Sequence, residues 1–283
     1  MSGEPPSVEA WSGKHRGDEN FPVGSFLIRR DLRRHVHAYY AFARNADDIA
    51  DSATLLPAEK IARLDRMEAV VLGQETEGSP SAVRLRASLG ETGVTPRHAT
   101  DLLIAFRQDA IKSRYADWTE LYEYCRFSAM PVGRYLLDLH QEPPATQAGS
   151  DALCTSLQVL NHLQDCAADL RAMDRCYLPQ DLMARHGVTL ADLGAPRASP
   201  GLRAVLDALL DECAALNAIA TSLAPRCRRR GMRLEAATIV GLARRLTLRL
   251  RRQDPLATRV GLRRADFAAA LLAAMRHIGP SRA

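Results

Sequence analysis

The chain has 283 residues, 47% of them hydrophobic and 5% aromatic, and a formal net charge of +5. The hydrophobic share is ample for a sizeable core, and no stretch of eighteen uncharged apolar residues occurs, so an intrinsically disordered chain and a membrane-spanning helix are both excluded. Helix formers dominate and alternating β-branched runs are almost absent, which predicts an all-α fold.

In chain order, polar residues 1–19 are predicted to form a disordered arm, and residues 20–283 one helical domain. Prolines in the first helical position open several of the predicted helices. Pro131 and Gly133 should kink the long helix between Trp118 and His140. Residues 141–150 are predicted to be a linker and 187–200 a loop. The other helices are predicted at about 30–52, 57–73, 80–89, 96–112, 151–172, 201–223, 232–252 and 265–278.

A first acidic cluster, Asp47-Asp48-x-x-Asp51, lies in the first predicted helix. Asp47 and Asp51 share a helical face at the i, i+4 spacing, while Asp48 meets Asp51 at i, i+3. At least two carboxylates therefore point the same way. Because like charges repel, a folded chain keeps them together only if a cation neutralises them.

A second cluster, Asn161-x-x-x-Asp165-x-x-x-Asp169, lies more than a hundred residues later. At about 100° per residue its three side chains share one helical stripe, which makes a row of oxygen ligands. The flanking residues of both clusters are apolar, so we expect these acids to be buried. The alternative, that both clusters are solvated faces of surface helices, is weakened by those flanks.

Magnesium is the cation that best fits both clusters. It prefers carboxylate and carbonyl oxygens, and it commonly binds through one or two carboxylates together with the phosphate oxygens of a substrate. Calcium has no dedicated binding loop in this sequence, and nearby arginines are the other candidates for neutralising the charge. The paired clusters predict a diphosphate held by metal ions.

The six cysteines contain no C-x-x-C pair and fall mostly within helical patterns. They are interpreted as reduced core residues of a cytoplasmic protein, not as a zinc site or a disulfide framework. The first twenty residues lack the apolar segment of a secretory signal, so secretion is not expected.

Positive charge is concentrated in residues 226–264, which hold thirteen arginines. Nucleic-acid binding is disfavoured because no aromatic residues are interleaved with them. Peripheral contact with an anionic membrane is an open alternative, since leucine and arginine alternate at near-helical spacing in GLARRLTLRLRR. A solvated helix face whose side-chain stems pack on the core is the interpretation we favour.

Three motifs in fixed order, AYYAFARNADDIAD, YCRFSAMPVG and LQVLNHLQDCAADLRAMDRCYLP, resemble those of the squalene and phytoene synthase family. The resemblance covers roughly residues 18–280 and implies the isoprenoid synthase fold, a helical bundle around a central cavity. The segments ENFPVGS and YCRFSAMPVGR most resemble the members that act in bacterial hopanoid biosynthesis. The reaction then expected is presqualene diphosphate plus water giving hydroxysqualene and diphosphate.

The resemblance implies a role for each matching residue. The two acidic clusters would bind Mg²⁺ ions that bridge to the diphosphate. Arg44 and Arg175 match family arginines that contact the diphosphate, and Phe21 matches a residue of an anion-binding segment. Tyr124 and Tyr177 match tyrosines near the reacting carbons, and Gln158 matches a glutamine that lines the cavity. For each tyrosine, core packing with one hydroxyl hydrogen bond is the alternative.

Several positions depart from the family pattern. Many relatives carry a Ser-x-Ser-Phe segment where this chain has Asp18-Glu19-Asn20-Phe21, so the serine roles cannot be transferred. Many also end the second motif with Glu-Asp, whereas Ala168 precedes Asp169 here, and Pro131 stands where many have another residue.

Two further functions remain open at this stage. The first is head-to-head condensation of two prenyl diphosphates to presqualene diphosphate, dehydrosqualene or phytoene. The second is an inert relative that serves as an assembly module, which the complete set of six metal-site residues disfavours. No Gly-rich dinucleotide fingerprint is present, so no nicotinamide cofactor is expected. The resemblance also allows association with neighbouring pathway enzymes.

Overall fold

The computed structural model of the chain describes residues 7–9 and 29–277, which contain helices and no strand. These residues belong to two compact units, Met1–Lys112 and Ser113–Ala283. Phe21 and most of the predicted arm at 1–19 lie outside the described residues, so both remain predictions. A single domain over 20–283 also stays a prediction.

Where the structure describes it, the first unit contains four helices. They are α1 (Arg33–Asp51), α2 (Pro57–Val71), α3 (Pro80–Thr92) and α4 (Arg97–Asp109). Helix α1 packs against the other three, and α2 against α3 and α4. Phe42 and Ile49 of α1 and Leu64, Leu85 and Leu103 of the other helices belong to a core that excludes solvent completely. Burial of one such side chain stabilises the fold by about 1.5–3 kcal/mol.

The start of α3 shows how local sequence sets a helix boundary. Ser79 precedes Pro80, and its hydroxyl accepts a hydrogen bond from the backbone N–H of Ala82 at 3.3 Å. The carboxylate of Glu9 accepts a second bond from the Ser79 hydroxyl at 2.9 Å. The predicted cap-then-proline start is confirmed here, and it also fixes residues 7–9 to the unit.

The second unit contains eight helices among the described residues. They are α5 (Trp118–Ser128), α6 (Met130–Leu139), α7 (Gln147–Met173), α8 (Gln180–Arg185), α9 (Pro200–Ala220), α10 (Leu223–Arg226), α11 (Arg230–Arg252) and α12 (Arg264–Ala274). Helix α7 is central, because α5, α6, α9, α10 and α11 all pack against it. The helix that carries the second acidic cluster is therefore the structural axis of its unit.

The predicted kink at Pro131 is a complete break. Helix α5 ends at Ser128, and Ala129 leaves the helical conformation with φ −123° and ψ −48°, so Pro131 falls in the first turn of α6. Gly133 serves close packing: a Cβ there would lie 2.3 Å from Ser150 Oγ and 2.7 Å from Cys154 Sγ, on α7. The contact between α6 and α7 therefore requires glycine.

Some predicted boundaries were wrong. The predicted linker at 141–150 contains a 3₁₀ turn at Pro144–Thr146 and the first turn of α7, where Gly149 and Ser150 are already buried. The short helices α8 and α10 were missed because four to six residues are too few to show a period. The predicted loop at 187–200 holds a 3₁₀ turn at Leu190–Gly194.

The cysteines occupy the core as predicted. All six are free thiols, and all but the half-buried Cys154 are buried. Burial raises the pKa of the Cys213 and Cys227 thiols to about 12, so they remain protonated at neutral pH. Over the described ranges, no helix combines the length and apolarity needed to cross a bilayer.

Candidate active site

The first acidic cluster lies in the last turns of α1, together with an arginine of the same helix. Arg44 Nη1 lies 3.0 Å from Asp47 Oδ2, and Arg44 Nη2 lies 2.6 Å from Asp48 Oδ1. The Asp48 side chain is 3% exposed, whereas that of Asp47 is 35% exposed. Arg44 therefore neutralises the buried Asp48 and shares its charge with Asp47. From the sequence, either an arginine or a metal ion could have neutralised these acids.

The remaining negative charge is concentrated around Asp47. Loss of hydration raises the pKa of the Asp47 carboxyl to about 8, and the carboxylates of Asp51, Asp109 and Asp48 contribute to the rise while Arg44 opposes it. The predicted i, i+4 pairing of Asp47 with Asp51 is thus the strongest repulsion acting on Asp47. Arg44 offsets only part of this rise, so added positive charge beside Asp47 would stabilise the site.

Asp109 was not predicted as a site residue. It is the last residue of α4, is buried, and acts on Asp47 electrostatically. In sequence it is one acid at a helix end, more than fifty residues from the cluster, so no spacing rule could associate them. A buried acid in the apolar pattern DLLIAFRQD was the one available signal.

The second cluster forms the predicted row along α7. Asn161 and Asp169 are half-buried, and Asp165 is exposed. The expectation that these acids would be buried was therefore correct for Asp48 and wrong for Asp165. Helix α7 buries its apolar sides against several neighbours, but the stripe that holds Asp165 reaches solvent.

A buried histidine connects this row to its surroundings. His162 Nε2 lies 3.1 Å from Gln158 Nε2, and His162 Nδ1 lies 3.9 Å from Asp169 Oδ2. Burial lowers the pKa of the imidazole, although Asp169 and Asp165 oppose the shift, so the ring is neutral at pH 7. Gln158, His162 and Asp169 thus form a polar chain along one face of α7.

An aromatic cluster lies beside that chain. The His162 ring stacks on Tyr177, with centroids 3.5 Å apart and planes 14° apart. Tyr124 lies 5.7 Å from Tyr177, and Tyr115 lies 5.2 Å from Tyr124 and 5.5 Å from Tyr177. The three tyrosines are buried. The structure therefore brings the predicted Tyr124, Tyr177 and Gln158 into one cluster, and adds Tyr115 and His162.

Backbone pairing positions two of these tyrosines. Cys176 N–H donates to the Ser113 carbonyl at 2.9 Å, and Gln180 N–H donates to the Tyr115 carbonyl at 2.9 Å. The segments 113–116 and 174–181 are thereby joined, which brings the side chains of Tyr115 and Tyr177 together. Residues about sixty positions apart become neighbours through hydrogen bonds that leave no pattern in the sequence.

Arg175 follows the end of α7 and is buried. Asp174 adopts the left-handed conformation at φ 53°, which turns the chain back, and the Arg175 N–H donates to the Asp169 carbonyl at 3.4 Å. Arg114 pairs with the Asp174 carboxylate at 2.5 Å and holds this turn. Arg175 therefore lies close along the chain to Asp169, as the resemblance implies.

The comparisons with known proteins agree on one family. The model of the family described as squalene/phytoene synthase matches residues 14–266. The chain belongs to this family. A hydroxysqualene synthase of Rhodopseudomonas palustris is 45% identical over 94% of the chain and 91% of its own length. A hydroxysqualene synthase of Sinorhizobium fredii is 43% identical over 92% and 88%.

A solved structure agrees with the sequence comparisons. The crystal structure of a squalene synthase from Alicyclobacillus acidocaldarius has a TM-score of 0.73 and 30% identity to the chain, and the match covers 84% of the chain and 90% of that protein. As a squalene/phytoene synthase family member, the protein has the predicted all-α isoprenoid synthase fold, and the predicted family is confirmed.

The acidic residues of this family member suit Mg²⁺. Within 7–9 and 29–277, no three His, Cys, Asp or Glu side chains converge as a ready-made metal site. Magnesium keeps several waters and takes further oxygens from a substrate phosphate, so it does not require three converging protein ligands. The donor set is carboxylate and amide oxygen, and the crowding that raises the Asp47 pKa is relieved by a cation. The residues present therefore fit magnesium.

Proposed function

We propose that the protein is a hydroxysqualene synthase, which converts presqualene diphosphate and water to hydroxysqualene and diphosphate. The observation that carries the proposal is the identity of 43–45%, over more than nine tenths of the chain, to two relatives that bear this name. All six predicted metal-site residues are present in the described part of the chain, which disfavours a role as an inert assembly module.

The charged residues are proposed to bind the diphosphate. Asp47, Asp48 and Asp51 of α1 and Asn161, Asp165 and Asp169 of α7 would hold Mg²⁺ ions. Bound Mg²⁺ would neutralise the charge that develops on the departing diphosphate. Arg44 and Arg175 would contribute guanidinium forks, which match the geometry of phosphate oxygens. Phe21 is proposed to belong to the same substrate site.

The aromatic cluster is proposed to stabilise what the diphosphate leaves behind. Breaking the C–O bond leaves a cyclopropylcarbinyl cation, which is attracted to the faces of aromatic rings. Tyr124 and Tyr177 are buried, so their faces offer electron density where bulk water is excluded. A protected cation survives long enough to rearrange before it is captured.

The last step needs one water molecule. Its oxygen forms the new C–O bond, and one of its protons is released. The Gln158 amide, half-buried beside these rings, is proposed to hydrogen-bond that water and so favour the alcohol over loss of a proton from carbon. The step transfers no hydride, so the proposed reaction uses no nicotinamide cofactor. Free, buried cysteines are in keeping with the cytoplasmic location we propose.

Product analysis tests the proposal. The purified protein is incubated with Mg²⁺ and no NADPH, with farnesyl diphosphate in one vial and presqualene diphosphate in another, and products are identified by mass spectrometry. Hydroxysqualene from the second vial alone is the expected result. Presqualene diphosphate from the first vial would support the condensing function instead, and no product from either would contradict both.

A further inference from the structure

The second unit contains an apolar groove that the proposed chemistry does not use. It has a volume of about 520 Å³ and lies among the end of α9, α10, α11 and α12. Small residues form its floor: Ala220, Ala224, Ala237, Gly241, Ala270 and Ala274. A Cβ at Gly241 would lie 3.4 Å from the Cβ of Ala270, so α11 and α12 approach closely beneath it. Its volume falls in the range of sites that bind small apolar groups.

Large apolar side chains are exposed in the groove and next to its lining residues along the chain. Leu248 of α11 lines the groove and is 54% exposed. Leu272 of α12 is 68% exposed, and Met275, directly after α12, is 52% exposed. Only Ala270 and Ala274 of α12 are fully buried. Clusters of exposed apolar residues mark interaction surfaces.

Three arginines also line the groove, and none has a carboxylate partner among the described residues. They are Arg244, Arg245 and Arg276. On the same helix as the first two, Arg249 pairs with Asp266 at 2.6 Å and Arg251 pairs with Asp211. Among the described residues, Arg249 and Arg251 thus have carboxylate partners, whereas the three arginines at the groove have none. An apolar surface with unbalanced positive charge is complementary to an anionic amphiphile.

We propose that this groove, with Leu248, Leu272 and Met275, binds the surface of an anionic phospholipid bilayer. The arginines contact lipid phosphates, and the exposed apolar side chains enter the boundary between head groups and acyl chains. A second copy of the chain fits poorly, because groove-to-groove contact would bring six arginines together. Residues 278–283 fit poorly too, since they carry Arg282 and no acidic side chain.

This surface is separate from the proposed catalytic residues, and its α12 side lies beyond the family match. That match ends at residue 266, before most of α12. Membrane binding does not require turnover. An active enzyme that does not bind vesicles would contradict the membrane surface alone, and an inactive protein that binds them would contradict the proposed function alone. If both hold, the enzyme meets its apolar substrate at the phase in which such a molecule dissolves.

Vesicle co-sedimentation tests the inference. The full chain is mixed with vesicles of phosphatidylcholine alone, or with about one third phosphatidylglycerol, at about 0.1 M salt. Binding to the anionic vesicles alone is expected. Because one basic residue near such a surface contributes about a fivefold gain in partitioning, the variant R244Q/R245Q/R276Q should bind about 100-fold more weakly.

Matched variants separate the groove from general basicity. R84Q/R185Q/R197Q removes the same charge at exposed positions outside the groove and should retain wild-type partitioning within about threefold. Leu272→Ser with Met275→Ser should weaken binding about tenfold, whereas Leu56→Ser with Ile111→Ser, also highly exposed, should not. Thermal melts and hydroxysqualene formation from detergent-solubilised substrate check that each variant is folded and active.

Several results would overturn the inference. Equal losses in the two arginine triples would mean that binding follows net charge and not the groove. Equal binding to neutral vesicles, or none to anionic ones, would remove the role of the arginines. Light scattering that shows a dimer in the wild type and a monomer in the groove variants would assign the surface to a second copy.

Discussion

The carboxylates of α1 and those of α7 carry their charge in different surroundings. On α1, Asp47 is crowded by three other acids, and Arg44 compensates only part of that charge. On α7, Asp165 is exposed to solvent, and Asp169 lies near the neutral ring of His162. The first cluster stores electrostatic repulsion in the folded state, whereas the second is supported by a hydrogen-bonded and stacked framework.

If both clusters bind metal as proposed, the contrast predicts a different contribution from each. The α1 cluster raises the pKa of the Asp47 carboxyl to about 8, so a bound cation would relieve more repulsion there. We therefore expect metal binding at α1 to raise the free energy of unfolding. The acidic row on α7 contacts a framework of Gln158, His162 and the tyrosines. We expect this framework to orient the proposed metal ligands of the row, since partners of metal ligands fix where the ligands point. Aspartates would therefore contribute mainly metal affinity on α1 and mainly ligand orientation on α7.

The largest expected effect is the loss of turnover when a proposed ligand is removed. Asp47→Ala and Asp165→Ala should each lower kcat with presqualene diphosphate by about a thousandfold, because each removes a carboxylate that is proposed to hold the metals at the departing diphosphate. Circular dichroism should show unchanged helix content in both. Near-normal activity in either variant would contradict the metal-site proposal, and Asp211→Ala, at an exposed acid of α9, serves as the control.

Much of this comparison could be anticipated from the sequence. The i, i+4 and i, i+4, i+8 spacings predicted both acidic rows because a helix converts spacing into direction. The shared site of Tyr124 and Tyr177 followed from the family motifs. Asp109 and Tyr115 could not be anticipated, because they join their partners through packing of separate elements or backbone pairing of distant segments. His162 could have been placed beside Gln158 and Asp169, which lie at i−4 and i+7 on the same helix, but its stacking on Tyr177 left no pattern in the sequence.

A smaller effect is expected from His162, which tests the orienting role of α7. His162→Phe keeps a ring to stack on Tyr177 but removes the polar contacts with Gln158 and Asp169. Turnover should fall about 10–100-fold, and the Mg²⁺ concentration that gives half-maximal activity should rise, as for other partners of metal ligands. Both are measured in one Mg²⁺ titration of initial rates.

The control for His162 is a histidine on the surface. His186→Phe, at an exposed position after α8, should leave the titration unchanged. If His162→Phe lowers the melting temperature but not the Mg²⁺ dependence, the ring has a packing role only. The framework on α7 would then have no role in orienting the proposed metal ligands.

The smallest effect concerns stability and its dependence on pH. The Asp47 carboxyl has a pKa of about 8 in the fold against 3.8 in the unfolded chain, so the folded state binds its proton more tightly. Stability therefore falls as pH rises from about 4 to 8, and the full penalty applies above 8. The side chain of the Asp47→Asn variant cannot ionise. The free energy of unfolding of the variant should therefore exceed that of the metal-free wild type increasingly across that interval, with the largest difference near pH 9.

The size of that gain is limited by solvent. The Asp47 side chain is 35% exposed, which screens the repulsion, so we expect a gain on the order of 1 kcal/mol, or about 2–4 °C in melting temperature. Added Mg²⁺ should reverse the order at pH 9, because the ion stabilises the folded state that it binds, and the wild type retains the Asp47 carboxylate as a ligand. Equal melting curves for Asp47→Asn and the wild type at pH 9 without metal would mean that Arg44 already balances α1.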